Sequence, residues 1–460
     1  MGGYLAYTEY KDSGMEWLGK IPTSWNPIPL KFLVATRKGI AFKSSDFIDS
    51  GCKVVKASDI KNNTILDSAF FIDESFKSLF AKAILQKEEI VVSTVGSNPD
   101  VKNSAVGQVG VVPEYLGESL LNQNTVVFTS KFSTSIQNRF LFYVLISTPY
   151  RDHLDLHAHG TANQASLNIT DMLSFQIALP SIEEQRSIAR FLDHKTAQID
   201  ALIAKKETLL KKLAEKRTAL ISQAVTKGCD RAVPMKDSGI EWLGEIPAHW
   251  STPPLYARYS LELGKMLNES RISGEHLVPY LRNVDVQWDC ISQNDLPEMD
   301  IRPNEYQRYL VQQGDLLVCE GGEAGRSAIV PDIQCSLGYQ KALHRLRVLT
   351  SAESPRFLYY TMFWAASLGI FLAGGNPNTI PHLTGEKLRL YRLPKPPLTE
   401  QKAIANFLDQ QTAQLHQQVT QVKAVIDRLK EYRTAIITNA VTGKIDVRDV
   451  MLEPEPVEAA

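Results

Sequence analysis

The sequence predicts an α+β protein in which two pseudo-symmetric mixed α/β domains are separated by two long antiparallel helices forming a coiled-coil spacer. Three observations predict it: a duplication running the length of the chain, two heptad-spaced stretches without Pro or Gly, and strand-and-turn patterns confined to the segments before them. Residues 11–25 (KDSGMEWLGKIPTSW) return as residues 236–250 (KDSGIEWLGEIPAHW), with 11 of 15 positions identical. Residues 183–193 (EEQRSIARFLD) return as 399–409 (TEQKAIANFLD), and RTALISQAVTKG (217–228) is echoed by RTAIITNAVTG (433–443). A period of about 225 residues marks a duplicated module and not a short solenoid repeat.

The elements then follow in order. Residues 1–180 hold an opening block and the first mixed domain, and 181–228 the first spacer helix. Residues 229–392 hold the second block and domain, 393–446 the second spacer helix, and 447–460 an acidic tail. Within the first domain EEIVVSTVGS (88–97) reads as a buried strand and turn, matched by GDLLVCEGGEAGRSAIV (314–330) in the second. RFLFYVLIST (139–148) and RFLYYTMFWA (356–365) both read as amphipathic helices. Between these anchors the two domains hardly match, so the scaffold is shared and the variable content differs.

Ser181 can cap the first long helix, with Glu183 and Glu184 in its positive first turn. Ile199, Leu202, Lys206, Leu209, Leu213, Lys216 and Leu220 fall at alternating steps of three and four, a heptad seam. The second copy supplies Leu415, Gln418, Val422, Val425, Leu429, Tyr432 and Ile436 in the same register. Lys206 and Lys216 disfavour a homodimeric seam, so each helix is expected to pair with the other as an antiparallel rod. The alternative is that each packs on its own domain. At 1.5 Å per residue such a helix spans roughly 58 Å.

Composition excludes several classes. No apolar run reaches the roughly 18 residues of a membrane helix, and the N-terminus lacks a basic-then-apolar export signal. Cys52, Cys229, Cys290, Cys319 and Cys335 form no CxxC pair, so neither a disulfide framework nor a zinc site is expected. A cytoplasmic chain is the expectation. The net charge of −1 means that nucleic-acid binding would rest on local patches, with partners neutralising much of the phosphate.

Catalytic constellations are missing from the pattern. There is no Walker A motif, and TPPLY (252–256) and KPPL (395–398) fail the acidic-or-amide Pro-Pro-aromatic pattern of an amino-methyltransferase. Pro99-Asp100-Val101-Lys102 lacks a second metal-binding acid for a nuclease. GGEAGRS (321–327) lacks the phosphate-loop Lys and reads as a structural turn. His153, His157 and His159 around Asp155 have no counterpart in the second copy and read as a solvated helix end. No catalytic residue and no metal site is therefore assigned.

What remains suits base edges, since Arg, Lys, Asn and Gln pair with guanine and adenine in the major groove. Candidates in the first domain are Asn98, Lys102 and Asn103, and Asn122, Gln123 and Asn124. In the second they are Arg326, Gln340, Lys341, and Arg345 with Arg347 on one strand face.

The duplicated KDSGxEWLGxIPxxW block, the LP…EQ start of each helix and the AVTxG-like end together resemble the specificity subunit of type I restriction–modification enzymes. The resemblance covers nearly the whole chain in duplicated order, with PKPPLTEQ (394–401) longer than PSIEEQ (180–185). It implies two target recognition domains joined by spacer helices, no catalysis and no cofactor on this chain. It also implies partners: double-stranded DNA, two modification (methyltransferase) subunits using S-adenosylmethionine, and restriction subunits using ATP. The expected target is bipartite and asymmetric, with half-sites about one helical turn, roughly 34 Å, apart. The rival reading is a non-catalytic protein scaffold with the same helical rod and no DNA binding.

Overall fold

The structure, a computed structural model, describes residues 4–96, 106–132, 134–161, 164–230, 232–267, 274–372 and 382–451. It is α+β, with two mixed domains and two long helices, Ile182–Lys227 and Leu398–Val441. Two compact units emerge: Met1–Lys206 with Ala424–Ala460, and Glu207–Lys423. Each long helix thus gives its first half to one unit and its second half to the other. No helix among the described residues is long and apolar enough to cross a membrane.

The repeated motifs have the same physical job in each unit. Each opening block is a hairpin, Tyr10–Asp12 with Lys20–Pro22 and Met235–Asp237 with Glu245–Pro247. Asp12 Oδ1 accepts the Gly14 N–H at 2.8 Å, and Asp237 Oδ1 the Gly239 N–H at 2.9 Å, which explains the DSG signature. Behind the hairpins Trp25 and Trp250 are fully buried. Trp25 lies against Gly443, where an added Cβ would come within 2.5 Å of Pro22 Cδ and 3.3 Å of the indole. Trp250 lies against Gly228 in the same way, 3.3 Å from a built Cβ. Both glycines sit at positive φ (70° and 74°), so the AVTxG-like ending is a C-cap that a tryptophan covers.

The glutamine of each EQ motif is a clamp. Gln185 Nε2 donates to the carbonyls of Ser135 and Pro180 while its Oε1 accepts Gln137 N–H. Gln401 repeats this with Ala352, Pro396 and Ser354. One buried amide thereby ties the helix start to the strand before it and to the RFL helix.

Each domain's central sheet has the same four-strand order. Val34–Lys38, Thr125–Ser130, Ile90–Ser93 and Val109–Val111 run antiparallel in the first. Tyr259–Leu263, Leu343–Val348, Leu316–Cys319 and Ser327–Ile329 do so in the second. The RFL helices, Asn138–Leu145 and Pro355–Ser367, differ from the amphipathic expectation: Phe140 to Leu145 are all buried, and so are Phe357 to Met362. They share a core with the start of a long helix, Ile188, Phe191 and Leu192 in the first case and Ile404 and Leu408 in the second. Tyr143 and Arg139 grip Asp193 at 2.7 and 2.6 Å; Tyr360 and Arg356 grip Asp409 at 2.6 and 2.7 Å.

The helices pair antiparallel within each unit. In the first, Ile188 to Ile199 share a core with Ile436, Ile437, Ala440 and Val441, and Asp200 meets Arg433 at 2.9 Å. In the second, Ile221, Ala224 and Val225 share one with Ile404 and Leu408. The seam register differs from the sequence reading. Buried or half-buried positions run Ile199, Ile203, Lys206, Leu210, Leu213, Arg217, Leu220 and Leu415, Val419, Val422, Ile426, Leu429, Arg433, Ile436. Leu202 (46% exposed), Leu209 (37%) and Val425 (38%) therefore lie outside it. The phase is set upstream, where Leu192 and Thr196, and Leu408 and Thr412, are locked under Tyr143 and Tyr360 seven and three residues ahead of the first seam residue.

A buried ion pair distinguishes the second unit from the first. Arg258 and Glu353 form a fully buried ion pair at 2.7 Å, joined by Lys395 at 2.9 Å. The corresponding positions in the first unit, Leu33 and Ile136, are buried and apolar. Desolvation pushes the Glu353 pKa up, but Arg258 and Lys395 outweigh it and hold the carboxyl below its usual range.

Two predictions follow from the packing. Burying an aliphatic side chain contributes roughly 1.5–3 kcal/mol, so Ile426→Asp should lower the melting temperature sharply and Val425→Asp should barely move it; equal effects would refute the seam register. A carboxylate whose folded pKa is depressed stabilises above its unfolded pKa of about 4.3, and that stability is lost as pH falls through the lower folded value. Glu353→Gln should therefore cost about 3–5 kcal/mol at pH 7 and less at low pH, whereas the triple change Arg258→Leu, Glu353→Ile, Lys395→Leu should retain stability in urea melts.

Candidate nucleic-acid interface

A polar turn leads into the second strand of each sheet and is held the same way in both units. In the first, Ile40 N–H donates to Leu121 O at 2.8 Å, Gln123 N–H to Ile40 O at 2.8 Å, and Asn122 N–H to Val55 O at 3.0 Å. In the second, Lys265 N–H donates to Tyr339 O at 2.9 Å, Lys341 N–H to Lys265 O at 3.0 Å, and Gln340 N–H to Leu281 O at 3.0 Å. A glycine makes the approach possible: a Cβ on Gly39 would lie 2.1 Å from Asn122 O, and one on Gly264 2.2 Å from Gln340 O. The candidates Asn122, Gln123 and Asn124, and Gln340 and Lys341, thus occupy one equivalent turn. Gln123 and Lys341 are exposed at its tip, while Asn122 Oδ1 accepts Asn124 N–H at 3.2 Å.

The strand beside each turn ends in a short 3₁₀ turn, Ala57–Asp59 and Asn283–Asp285. Asp59 accepts the Lys56 N–H at 2.9 Å and Asp285 the Arg282 N–H at 2.8 Å. Lys56 and Arg282 therefore stand at matching places beside the polar turns. The Lys56 ammonium sits 3.0 Å from the Phe70 ring centroid and 4.3 Å from that of Phe47. Burial pulls its pKa down, against the Asp59 carboxylate. Sequence reasoning missed both residues, although VVKASDI (54–60) and YLRNVDV (280–286) repeat at the offset of the neighbouring strands.

Three arginine candidates are engaged inside the protein. Arg345 is buried, and its Nη1 donates to the carbonyls of Gln307 and Leu310 at 3.1 and 2.8 Å. Arg347 makes a two-bond pair with buried Asp315 at 2.8 and 2.6 Å. Their strand is central in the sheet, and the segment Pro303–Leu310 covers the face they share. Arg326 Nη2 donates to Asn283 O at 2.9 Å and Asn283 Oδ1 at 2.6 Å, pinning the 3₁₀ turn from behind. All three guanidiniums are mostly buried and bonded within the protein. The first unit solves the same covering problem from the adjacent strand, where Arg37 donates to Lys82 O and Ile84 O and pairs with Glu89.

Asn98, Lys102 and Asn103 lie outside the described residues. GGEAGRS is a structural turn: Gly322 and Gly325 take φ of +76° and +90°, and a Cβ on Gly325 would strike the Phe371 ring at 2.3 Å. His153 donates to Asp171 O, His157 bonds His153 O, and Asp155 pairs with Arg151. No group of His, Cys, Asp and Glu suited to a metal occurs among the described residues.

The chain matches the Type I restriction modification DNA specificity domain over residues 22–212 and 264–424, once in each repeat. It belongs to that family. The putative type I restriction enzyme MjaX specificity subunit of Methanocaldococcus jannaschii is 25% identical over 439 residues, covering 94% of this chain and 96% of that one. The MjaVIII specificity subunit of the same organism is 27% identical over 185 residues, 40% of this chain and 42% of that one. Among solved structures, a chain from a study of complex assembly and conformational transition of the type I R-M system superposes with a TM-score of 0.69 at 16% identity, covering 92% of this chain and 98% of that one. In this specificity chain the two repeats carry different residues on a glycine-pinned turn that each unit holds in the same way.

The two kinds of polar residue should separate experimentally. Arg345→Ala removes two hydrogen bonds from a charged donor, each worth about 1.5–3 kcal/mol, and should lower stability without changing which DNA is chosen. Gln123→Ala and Lys341→Ala should leave the melting temperature unchanged and weaken DNA retention in a salt-dependent shift assay of the assembled complex. The reverse pattern would place the reading surface elsewhere.

Proposed function

We propose that this chain reads a bipartite, asymmetric DNA target as the non-catalytic specificity subunit of a type I restriction–modification complex. The observation that carries this is the pair of equivalent polar turns, identical in backbone hydrogen bonding yet bearing Asn122-Gln123-Asn124 in one unit and Gln340-Lys341-Ala342 in the other. Equal scaffolds with unequal tips suit two independent readers of unlike half-sites. Side chains of these types read base edges by paired donors and acceptors. The net charge of −1 suits a subunit whose partners supply much of the phosphate contact.

In this reading the chemistry belongs to the partners. Two modification subunits bind S-adenosylmethionine and methylate the DNA, restriction subunits consume ATP, and the specificity chain holds them in the cytoplasm around double-stranded DNA. The purified chain alone should neither methylate nor cleave DNA, and titration calorimetry should find no S-adenosylmethionine binding to it.

Exchange of residues 26–178 or 251–392 for the corresponding segment of a relative tests the reading directly. The flanking tryptophan block and EQ clamp are shared, so each segment should act as a cassette. With the modification subunit supplied, methylome sequencing should show one half of the motif altered and the other retained. A change in both halves together would defeat the independent-reader reading, and absence of any discrete motif would defeat DNA recognition altogether.

A further inference from the structure

Arg282 differs from Arg258, Arg326, Arg345 and Arg347 in where its outer donors go. Arg258 and Arg347 are also held side-on, by Glu353 and Asp315, but they give a further donor to main-chain carbonyls, as Arg326 and Arg345 do. Arg282 is bound side-on by one residue: its Nε donates to Asp285 Oδ2 and its Nη2 to Asp285 Oδ1, both at 2.8 Å. Asp285 is itself fixed, since it is buried and its Oδ2 also accepts the Arg282 main-chain N–H. A guanidinium carries five N–H donors in a planar fork. Two are committed to Asp285, and the side-on contact leaves the outer Nη1–Nη2 fork uncommitted among the described residues. The side chain is 38% exposed and stands beside the Gln340-Lys341 turn, joined to it through the Gln340 N–H to Leu281 O bond.

We infer that Arg282 is a specificity-determining residue of the second recognition domain, its outer fork reading O6 and N7 of a guanine in the major groove. The inference rests on the DNA-reading function proposed above. An Arg held by a carboxylate in a single orientation loses little freedom on docking, and its two remaining parallel donors match the two acceptors of guanine. The first domain has Lys56 at the same place, with its ammonium over Phe70 and Phe47 in place of a fork held by an acid. A point charge lacks the planar two-donor geometry. The two half-sites should therefore differ at the base pair facing this position, with guanine fixed in the half read by the second domain.

Methylome sequencing of the full chain with its modification subunits tests this, using wild type, Arg282→Gln and Arg282→Lys, each checked for its melting temperature. The wild-type half-site belonging to residues 251–392 should contain an invariant G·C pair. Arg282→Gln should make that one position degenerate, lowering discrimination there by about 5- to 150-fold, while the other half-site stays intact. Arg282→Lys, which keeps the charge and loses the fork, should fall between. Either variant modifying the original motif at wild-type stringency would overturn the assignment, as would a loss shared equally by both half-sites. If Arg282→Gln fails to fold, the Arg282→Lys motif decides. A wild-type complex with no discrete motif would instead remove the DNA-reading function on which the assignment rests.

Discussion

Everything in this architecture hangs on a tryptophan covering the glycine end of a long helix. Trp250 can reach Gly228 because only about twenty residues separate them along the chain. Trp25 needs Gly443, and the chain reaches it only after both domains have been laid down. The positive-φ glycine ends each helix at a fixed residue, and the buried indole fixes which opening block receives it. A side chain at either glycine would be strained by its φ and would press on the indole. Helix length, and with it the number of seam residues, is thereby set by one residue at each end: the EQ glutamine at the start and the capping glycine at the finish.

The scaffold tolerates exchange where packing geometry is kept. Arg37 on one strand faces Val127 on its neighbour, while in the second unit Glu262 faces Arg345. The cation has changed strands, yet in both units it serves the main-chain carbonyls of the segment before the next strand. The apolar Leu33 and Ile136 likewise stand where Arg258 and Glu353 form a buried pair. The second arrangement needs every hydrogen bond completed, and Leu393 O, Pro394 O and Tyr259 OH supply the remaining contacts. Hydrogen bonding at the tryptophans diverges too: Trp250 Nε1 donates to Glu400, whereas the equivalent Glu184 accepts from Tyr7.

Much of the fold was legible because the duplication marks its own constraints. A residue kept in both copies, such as Gln185 and Gln401 or Asp193 and Asp409, has one geometric task repeated. The heptad was visible but its phase was not, because Leu202 and Ile203, or Leu209 and Leu210, are neighbours of equal apolarity; only the clamp at Thr196 chooses between them. Arg345 and Arg347 were placed correctly on one strand face, yet a strand pattern does not say what covers that face. Periodicity carries no information about the Pro303–Leu310 segment that does. Lys56 and Arg282 escaped notice because a single cation at the end of a strand looks ordinary until the turn beside it is seen.

The first unit is closed by both ends of the chain. Tyr10 OH donates to Gly443 O across 433 residues, Asp446 N–H donates to Leu5 O, and Lys444 Nζ reaches the carbonyls of Leu18 and Lys20. The second unit is one uninterrupted stretch, Glu207–Lys423. Synthesis therefore delivers the pieces out of order. The first-made domain must wait with Trp25 and its surrounding apolar surface incomplete while the later unit is made in full, about 10–45 s at ordinary elongation rates of 5–20 residues per second. During that interval the nascent first domain exposes the face that Ile436, Ile437, Ala440 and Val441 will cover. On the ribosome, the last unit begun is thus the first that can finish.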